Sequence, residues 1–197
     1  TGHTLIDELV VETREDYVAE IRKPVKIIDL SADFRLENVD TYAEWYGHEH
    51  LAPSLQKVAV YGLTELAREK IRAADLVACP GCYPTSSILP LAPLLAARQI
   101  DPNDIVIDSK SGVSGAGRAA KEGSLFTEVS TGIHAYGVAN HRHGPEIEQE
   151  LSKAAGQDLL VAFTPHLIPM NRGILSTIYV KLADGVTAED LHDTLSV

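Results

Sequence analysis

The stretch Leu76-Val-Ala-Cys-Pro-Gly-Cys-Tyr-Pro-Thr85 changes from one predicted secondary structure to another within a few residues. Its first three residues are apolar and predict a short buried strand. Residues 84–97 predict a helix, and Pro84 suits the first turn because a proline there has no intrahelical N–H bond to lose. Gly81 allows a tight turn between the two. The stretch therefore predicts a strand, a turn and a helix, in the manner of an α/β fold.

Cys82 falls at the end of this turn, just ahead of the predicted helix. The positive end of the helix dipole and the unbonded N–H groups of a first turn favour a thiolate there, and the same groups can hold an oxyanion. The position predicts Cys82 as a nucleophile. Three other interpretations stay open: a small buried filler, a redox pair with Cys79, and a zinc ligand, although a second cysteine pair at suitable spacing is absent.

Composition narrows the class of protein. The chain has 197 residues with 45% hydrophobic and 23% charged, as in globular proteins, and no apolar run approaches the length of a membrane-spanning helix. Two cysteines are too few for a disulfide framework, so we expect a cytoplasmic protein. The net charge of −11 argues against nucleic acid or an anionic membrane as partner. An anionic substrate would need a local concentration of arginine and lysine.

Strands alternate with helices along the chain, and the second half adds longer strands around a glycine-rich loop. This order predicts the end of a nucleotide-binding α/β domain joined to an α+β domain. No G-x-G-x-x-G fingerprint is present, the first residue is not methionine, and the last residues fall within a helical pattern, so we expect a piece of a longer polypeptide. The predicted helices cover 5–22, 40–47, 65–73 capped by Thr64, 85–99, 144–155 and a segment from Thr187; the predicted strands cover 25–30, 58–61, 76–78, 104–108, 159–164 and 174–182.

Two histidines flank Arg142 just before a Gly-Pro helix start. Either His141 or His143 is placed to protonate a reacting oxygen or to pair with a thiolate, and we prefer His143 as the acid. From these residues alone, a capping or surface role is equally open. Tyr136 and His166 are candidates for a pocket wall, and Tyr136 is also compatible with plain packing.

The segment Ser111-Gly-Val-Ser-Gly-Ala-Gly-Arg118 lacks the setting of a P-loop. Its glycines permit unusual backbone angles and a close approach of a ligand, so Ser111, Gly112 and Gly115 are candidates for cofactor contact. Arg118 is able to hold a carboxylate or phosphate with two hydrogen bonds, and Arg172 is a second candidate for the same task. The competing interpretation is a flexible loop with a solvated arginine.

Several of these motifs, taken in order, resemble the N-acetyl-gamma-glutamyl-phosphate reductases of arginine biosynthesis. The resemblance covers essentially the whole chain, and Cys79 departs from the family pattern. It implies a fold like that of glyceraldehyde-3-phosphate dehydrogenase, with residues 1–82 from a Rossmann-type NADP-binding domain and residues 83–197 from a catalytic and oligomerisation domain. The motifs are Ile28-Asp-Leu-Ser-Ala-Asp-Phe-Arg35, Pro80-Gly-Cys-Tyr-Pro-Thr85, the Ser111 to Arg118 segment, His141-Arg-His143, and Phe163-Thr-Pro-His166 with Arg172-Gly173.

The function implied by this resemblance is the NADPH-dependent reduction of N-acetyl-L-glutamyl 5-phosphate to the semialdehyde through a thioester on Cys82. His141 or His143 would serve as acid, while Arg118, Arg172 and Tyr136 would bind the substrate. The resemblance also implies a homo-oligomer, and no metal is expected. The alternatives are a reductase of aspartyl or aminoadipyl phosphate, an inactive substrate-binding and oligomerisation module, and a thioredoxin-like oxidoreductase. Without the glycine fingerprint, these residues alone are expected to bind NADPH poorly.

Overall fold

The computed structural model describes residues 26–117, 119 and 121–196. The helix predicted at 5–22 lies outside the described residues. The chain divides into two compact units, one ending at Gly81 and the other beginning at Cys82.

The first unit contains a parallel sheet in the order β1-β3-β2. Its short strands are joined by helical crossovers, because parallel neighbours cannot be connected by a tight hairpin. Phe34, Ala52, Leu76 and Ala78 form the buried core beside the sheet. The elements are β1 (Ile27–Asp29), α1 (Val39–Tyr46), α2 (Pro53–Gln56), β2 (Val60–Tyr61), α3 (Thr64–Ala73) and β3 (Leu76–Ala78). Thr64 was wrongly predicted to cap α3, since it is the first helical residue and Leu63 stands before it without a capping side chain.

A buried polar turn follows β1. Ser31 donates its backbone N–H to Asp29 Oδ1 at 2.9 Å, and the Tyr42 hydroxyl donates to Asp33 Oδ1 at 2.7 Å. Arg35 Nε donates to the carbonyl of Cys79 at 2.7 Å, which ties this turn to the end of β3. The Asp-Leu-Ser-Ala-Asp-Phe-Arg motif therefore folds into a hydrogen-bonded support for the segment that precedes Cys82.

The second unit is a mixed four-stranded sheet in the order β5-β6-β4-β7, with β4 and β6 parallel and the outer pairs antiparallel. Helices α4 and α6 pack against each other, and α4 also packs against β4. The elements are α4 (Cys82–Ala96), β4 (Ile100–Gly112), α5 (Phe126–Val129), β5 (His134–Ala135), α6 (His143–Ala155), β6 (Ala162–Ile168), β7 (Ile174–Leu182) and α7 (Ala188–Leu195). The predicted capping box at the start of α7 is confirmed, with Thr187 and Asp190 exchanging hydrogen bonds.

Two strands run further than predicted. β4 covers Ile100–Gly112 rather than 104–108, because its pairing with β7 resumes across an irregularity between Ile100 and Ile105. β6 continues through Pro165 to Ile168, since parallel pairing with β4 holds it extended and the proline carbonyl still accepts a hydrogen bond from Tyr136 N at 3.0 Å.

The two faces of this sheet differ. Ile105, Ile107, Ser109 and Ser111 of β4 are buried on the same face, whereas the intervening positions face the other way, as strand geometry requires. That second face carries apolar side chains in the open: Val106 is 39% exposed, Leu175 65% and Tyr179 59%.

Candidate active site

Cys82 is the first residue of α4, and its side chain is exposed. Both cysteines are thiols rather than halves of a disulfide, and Cys79 is only half-exposed. Pro84 is therefore the third helical residue, whereas the sequence predicted it as the first. The thiol lies at the positive end of a fifteen-residue helix, where a thiolate is favoured.

An aromatic cluster centred on Tyr83 adjoins this helix start. The Tyr83 ring makes edge contacts with His141 at 5.5 Å, His143 at 5.8 Å and Phe163 at 5.4 Å between centroids. The two imidazoles contact each other at 4.8 Å, and Tyr136 contacts His141 at 5.4 Å. The structure thus brings Tyr136, His141 and His143 together around the residue that follows Cys82.

His141 has a defined hydrogen-bonding state. Its Nδ1 lies 3.1 Å from the backbone N of His143, which can only donate, so the neutral ring carries its proton on Nε2. Burial, and then the charge of Arg142, lower the pKa of His141 to about 4. At neutral pH, His141 is therefore an uncharged hydrogen-bond donor through Nε2–H.

This depressed pKa predicts a loss of stability in acid. Between the ordinary histidine value of about 6.5 and the folded value of about 4, the unfolded chain binds a proton at this residue that the folded chain does not. The free energy of unfolding is therefore expected to fall as the pH drops from 6.5 to 4. His141→Asn keeps an acceptor for His143 N but does not titrate, so its stability should decline less over this window in urea titrations. Parallel curves for the two proteins would contradict the assignment.

Tyr136 and Tyr83 share a hydroxyl–hydroxyl hydrogen bond of 2.8 Å. Burial is the main cause that raises the pKa of each. The side chain of Tyr83 raises the pKa of Tyr136 further, and the electrostatic effect of Cys82 raises the pKa of both tyrosines. Both hydroxyls therefore stay protonated at neutral pH, and both lie within electrostatic range of the thiol.

The glycine-rich segment begins where β4 ends. Backbone hydrogen bonds join Gly112 N to Gly173 O and Val113 N to Met170 O, each at 2.9 Å. A Cβ on Gly112 would lie 2.6 Å from the backbone N of Arg172, so only glycine permits this approach. Arg172 itself is exposed at this junction.

The other candidates of this segment have different surroundings. Gly115 is exposed in a 3₁₀ turn at Val113–Ala116. Ser111 is 2% exposed, and its hydroxyl donates to the Gly112 carbonyl at 2.9 Å. Arg118 lies outside the described residues.

His166 does not join the cluster. It alternates with the buried Pro165 and Leu167, so its side chain lies on the opposite face of the sheet. There its Nδ1 lies 3.2 Å from Asp108 Oδ1, and Lys110 Nζ lies 2.6 Å from Asp108 Oδ2. The prediction of His166 as a pocket wall was wrong, because strand alternation turns it away.

Glu146 and Tyr83 are residues that the sequence reasoning did not single out. Glu146 is 1% exposed in the first turn of α6, three residues after His143 and so on a neighbouring part of the helix surface. An acidic residue in a first helical turn is common, so the sequence did not distinguish Glu146. Its burial distinguishes it, and burial is seen only in the structure. Among the described residues, no group of three potential ligands is placed to hold a metal ion.

The described helices include none with the combination of length and apolar character that crossing a bilayer demands.

Known proteins are similar to this chain over most of its length. The reductase from Afipia carboxidovorans named N-acetyl-gamma-glutamyl-phosphate reductase is 64% identical over 171 residues, covering 87% of this chain and 49% of its own length. The Rhodospirillum rubrum protein of the same name is 64% identical over 172 residues, with coverage of 87% and 49%. A probable chloroplastic counterpart from Oryza sativa subsp. japonica is 58% identical, with 93% and 44% coverage. The chain spans about half the length of these curated relatives.

Among solved structures, aspartate semialdehyde dehydrogenase II from Vibrio cholerae matches with a TM-score of 0.62 at 17% identity, covering 95% of this chain and 57% of its own. This likeness confirms the predicted fold class, a Rossmann-type remainder joined to an α+β domain. The family model for the semialdehyde dehydrogenase dimerisation domain matches residues 82–197. The motif resemblance is confirmed, and the chain belongs to the semialdehyde dehydrogenase family.

Proposed function

We propose that the polypeptide to which this chain belongs reduces N-acetyl-L-glutamyl 5-phosphate to N-acetyl-L-glutamate 5-semialdehyde with release of phosphate, using NADPH. The observation that carries this proposal is the exposed thiol of Cys82 at the start of α4, beside the cluster of two histidines and two tyrosines. The similarity of most of the chain to reductases of that name supports the choice of substrate.

The first step follows from the position of Cys82. The thiolate attacks the acyl carbon, the tetrahedral oxyanion is stabilised by N–H groups of the first turn of α4, and the C–O bond to phosphate breaks to leave a thioester. A thiolate suits this task because it is nucleophilic at neutral pH and later leaves readily. The exposed sulfur is accessible to a substrate.

NADPH, when bound, supplies the hydride that the thioester carbon accepts. Among the candidates for cofactor contact, Gly115 has the strongest support, because it is exposed and Gly117 beside it has a φ of +85° with open space around it. The close approach at Gly112 is taken by the backbone of Arg172, and Ser111 is buried. These residues fit a contact along one part of the cofactor.

The histidines act on the oxygen that becomes negative when the carbon is reduced. We propose His143 as the acid that protonates this oxygen as the thiohemiacetal forms; the proton leaves again when the C–S bond breaks and the aldehyde is released. His141, neutral with its proton on Nε2, is proposed to donate a hydrogen bond rather than a charge.

The anionic ends of the substrate need local positive charge, because the chain carries a net charge of −11. We propose Arg118 and Arg172 for this task, with Tyr136 as a neutral donor beside the thiol. The exposure of Arg172 at the junction with the glycine-rich segment supports its part.

The substrate choice is tested with the full-length enzyme. We expect kcat/KM for N-acetylglutamyl phosphate to exceed that for aspartyl phosphate and for a carrier-bound aminoadipyl phosphate by at least about 100-fold, because the fit of even one small group in a pocket discriminates by about that factor. Equal rates would assign the enzyme to a different acyl phosphate. No reduction of any of the three would favour the inactive-module alternative.

We further propose residues 1–82 as part of the NADP-binding domain, residues 83–197 as the catalytic domain, and a cytoplasmic location for the enzyme. The match of a dimerisation-domain family to residues 82–197 supports the second assignment. The rice relative is named as chloroplastic, so the compartment is proposed for this chain alone.

A homo-oligomer is proposed to form through the open face of the sheet. Val106 and Tyr179 are paired neighbours across β4 and β7, and Leu175 lies further along the same face. Exposed apolar side chains on one face of a sheet favour an interface there, and a second copy of the chain is the occupant that the family name suggests.

The double variant Leu175→Glu/Tyr179→Glu is expected to shift the full-length protein to monomers in sedimentation velocity, because two carboxylates would have to lose their hydration in the contact. Leu160→Glu is the matched control, since Leu160 is 78% exposed but lies outside the strands. An unchanged oligomer in the double variant would place the interface elsewhere.

A further inference from the structure

Tyr83 stands out because it follows Cys82 directly but lies in the opposite environment. Cys82 is exposed, whereas Tyr83 is 2% exposed and among the largest fully buried side chains. Successive residues of an α-helix point about 100° apart, so one first turn of α4 presents the thiol to solvent and the phenol to the interior. The buried ring and the nucleophilic thiol therefore belong to adjacent residues of the same helical turn.

The ring of Tyr83 contacts both histidines of the site. Its edge-to-face distances to His141 and His143 are 5.5 and 5.8 Å, and Phe163 of β6 holds it from another side at 5.4 Å. Such T-shaped contacts favour one mutual orientation of the rings, because the positive edge of one faces the negative face of the other. The orientation of both imidazoles therefore depends on where this ring lies.

The hydroxyl of Tyr83 fixes the ring at its far end. It lies 2.8 Å from the Tyr136 hydroxyl and 3.3 Å from the carbonyl oxygen of His166, which it can reach as a donor. These partners belong to β6 and to the residue after β5, so the sheet sets the position of the ring.

We propose that Tyr83 is a positioning residue that holds the His141 and His143 imidazoles in place relative to the Cys82 thiol. The hydroxyl anchors the ring to the sheet, and the ring orients and shields the imidazoles. This role rests on the proposed reductase function for its kinetic consequence only. Its effect on the histidines is a property of the protein without substrate.

The test compares Tyr83→Phe and Tyr83→Leu in the full-length protein, with Phe126→Leu as a control that removes a ring that is 81% exposed. Tyr83→Leu removes the shielding ring, so the NMR titration midpoint of ¹⁵N-labelled His141 should rise by at least one pH unit from its starting value toward the ordinary one. Tyr83→Phe keeps the ring and should leave that midpoint within a few tenths of a unit. The control should leave it unchanged.

Kinetics separate positioning from packing. We expect Tyr83→Phe to lower kcat about tenfold with KM within about twofold and little change in Tm, because the ring stays but its anchor is lost. Wild-type kcat in Tyr83→Phe, together with an unmoved His141 midpoint in Tyr83→Leu, would overturn the proposal and leave Tyr83 as core packing. If Tyr83→Leu does not fold, the kcat of Tyr83→Phe decides alone.

Failure of the proposed function gives a different result. A wild-type protein that reduces none of the acyl phosphates would remove the kinetic readout, but the His141 titration would still show whether Tyr83 holds the imidazole. An unmoved midpoint in a folded Tyr83→Leu would then overturn the proposal, and a midpoint raised by one unit or more would support it.

Discussion

Replacing Cys82 with serine in the full-length enzyme is expected to lower kcat by about 10⁴-fold or more, the scale of loss seen when a covalent nucleophile is removed. A serine hydroxyl at this position would lack the low pKa that a thiol gains at a helix start, so the thioester would not form. Because the Cys82 side chain is exposed, the free energy of unfolding should change little. Steady-state NADPH oxidation and a urea titration measure the two quantities.

Cys79→Ser is the matched control for this experiment. The backbone of Cys79 is already committed to the fold, since its N–H donates to Asp29 O at 2.8 Å and its carbonyl accepts from Arg35 Nε. Serine keeps both contacts, so kcat should stay within about twofold of the wild-type value. Equal loss of activity in both variants would instead support a redox pair of the two cysteines, as in the thioredoxin-like alternative.

The parts of the fold that the sequence predicted well depend on neighbours along the chain. The helix after Cys82, the helix His143–Ala155 and the capping box at Thr187 each follow from local periodicity and end signals. The lengths of β4 and β6 depend instead on pairing between residues far apart in sequence. A pattern within one strand contains no information on how far its partner extends.

The residues of the candidate site also fall into two groups: those that adjacent sequence predicts and those that depend on contacts with distant residues. The exposed Cys82 could be predicted because a strand, a glycine and a helix start are adjacent in sequence. Tyr83 could not, since a buried tyrosine reads as ordinary core until its contacts with His141 and Tyr136 are known. The prediction for His166 was wrong because its strand was predicted to end before it. The alternation of side chains along the strand was therefore not applied to this residue.

Replacing His143 with glutamine is expected to lower kcat by about 10²- to 10³-fold while KM changes little, the usual contribution of a positioned proton donor. The structure favours this histidine over its neighbour for a specific reason. Nδ1 of His141 already accepts a hydrogen bond from His143 N, and a pKa of about 4 leaves almost none of the cation at neutral pH. A donor whose charged form is so scarce is poorly suited to give up a proton there.

The pH profile of kcat decides between the two histidines. His141→Asn retains an acceptor for His143 N, so the start of α6 should be preserved. The limb of the profile on which kcat falls with rising pH, as the acid loses its proton, should therefore persist. In His143→Gln that limb should vanish, because the titrating donor is gone. If His141 were the acid, the limb on which kcat falls with rising pH would lie near pH 4, where its cation loses the proton, and it would vanish in His141→Asn. The pH at which this limb lies, and the variant that removes it, together assign the proton donor.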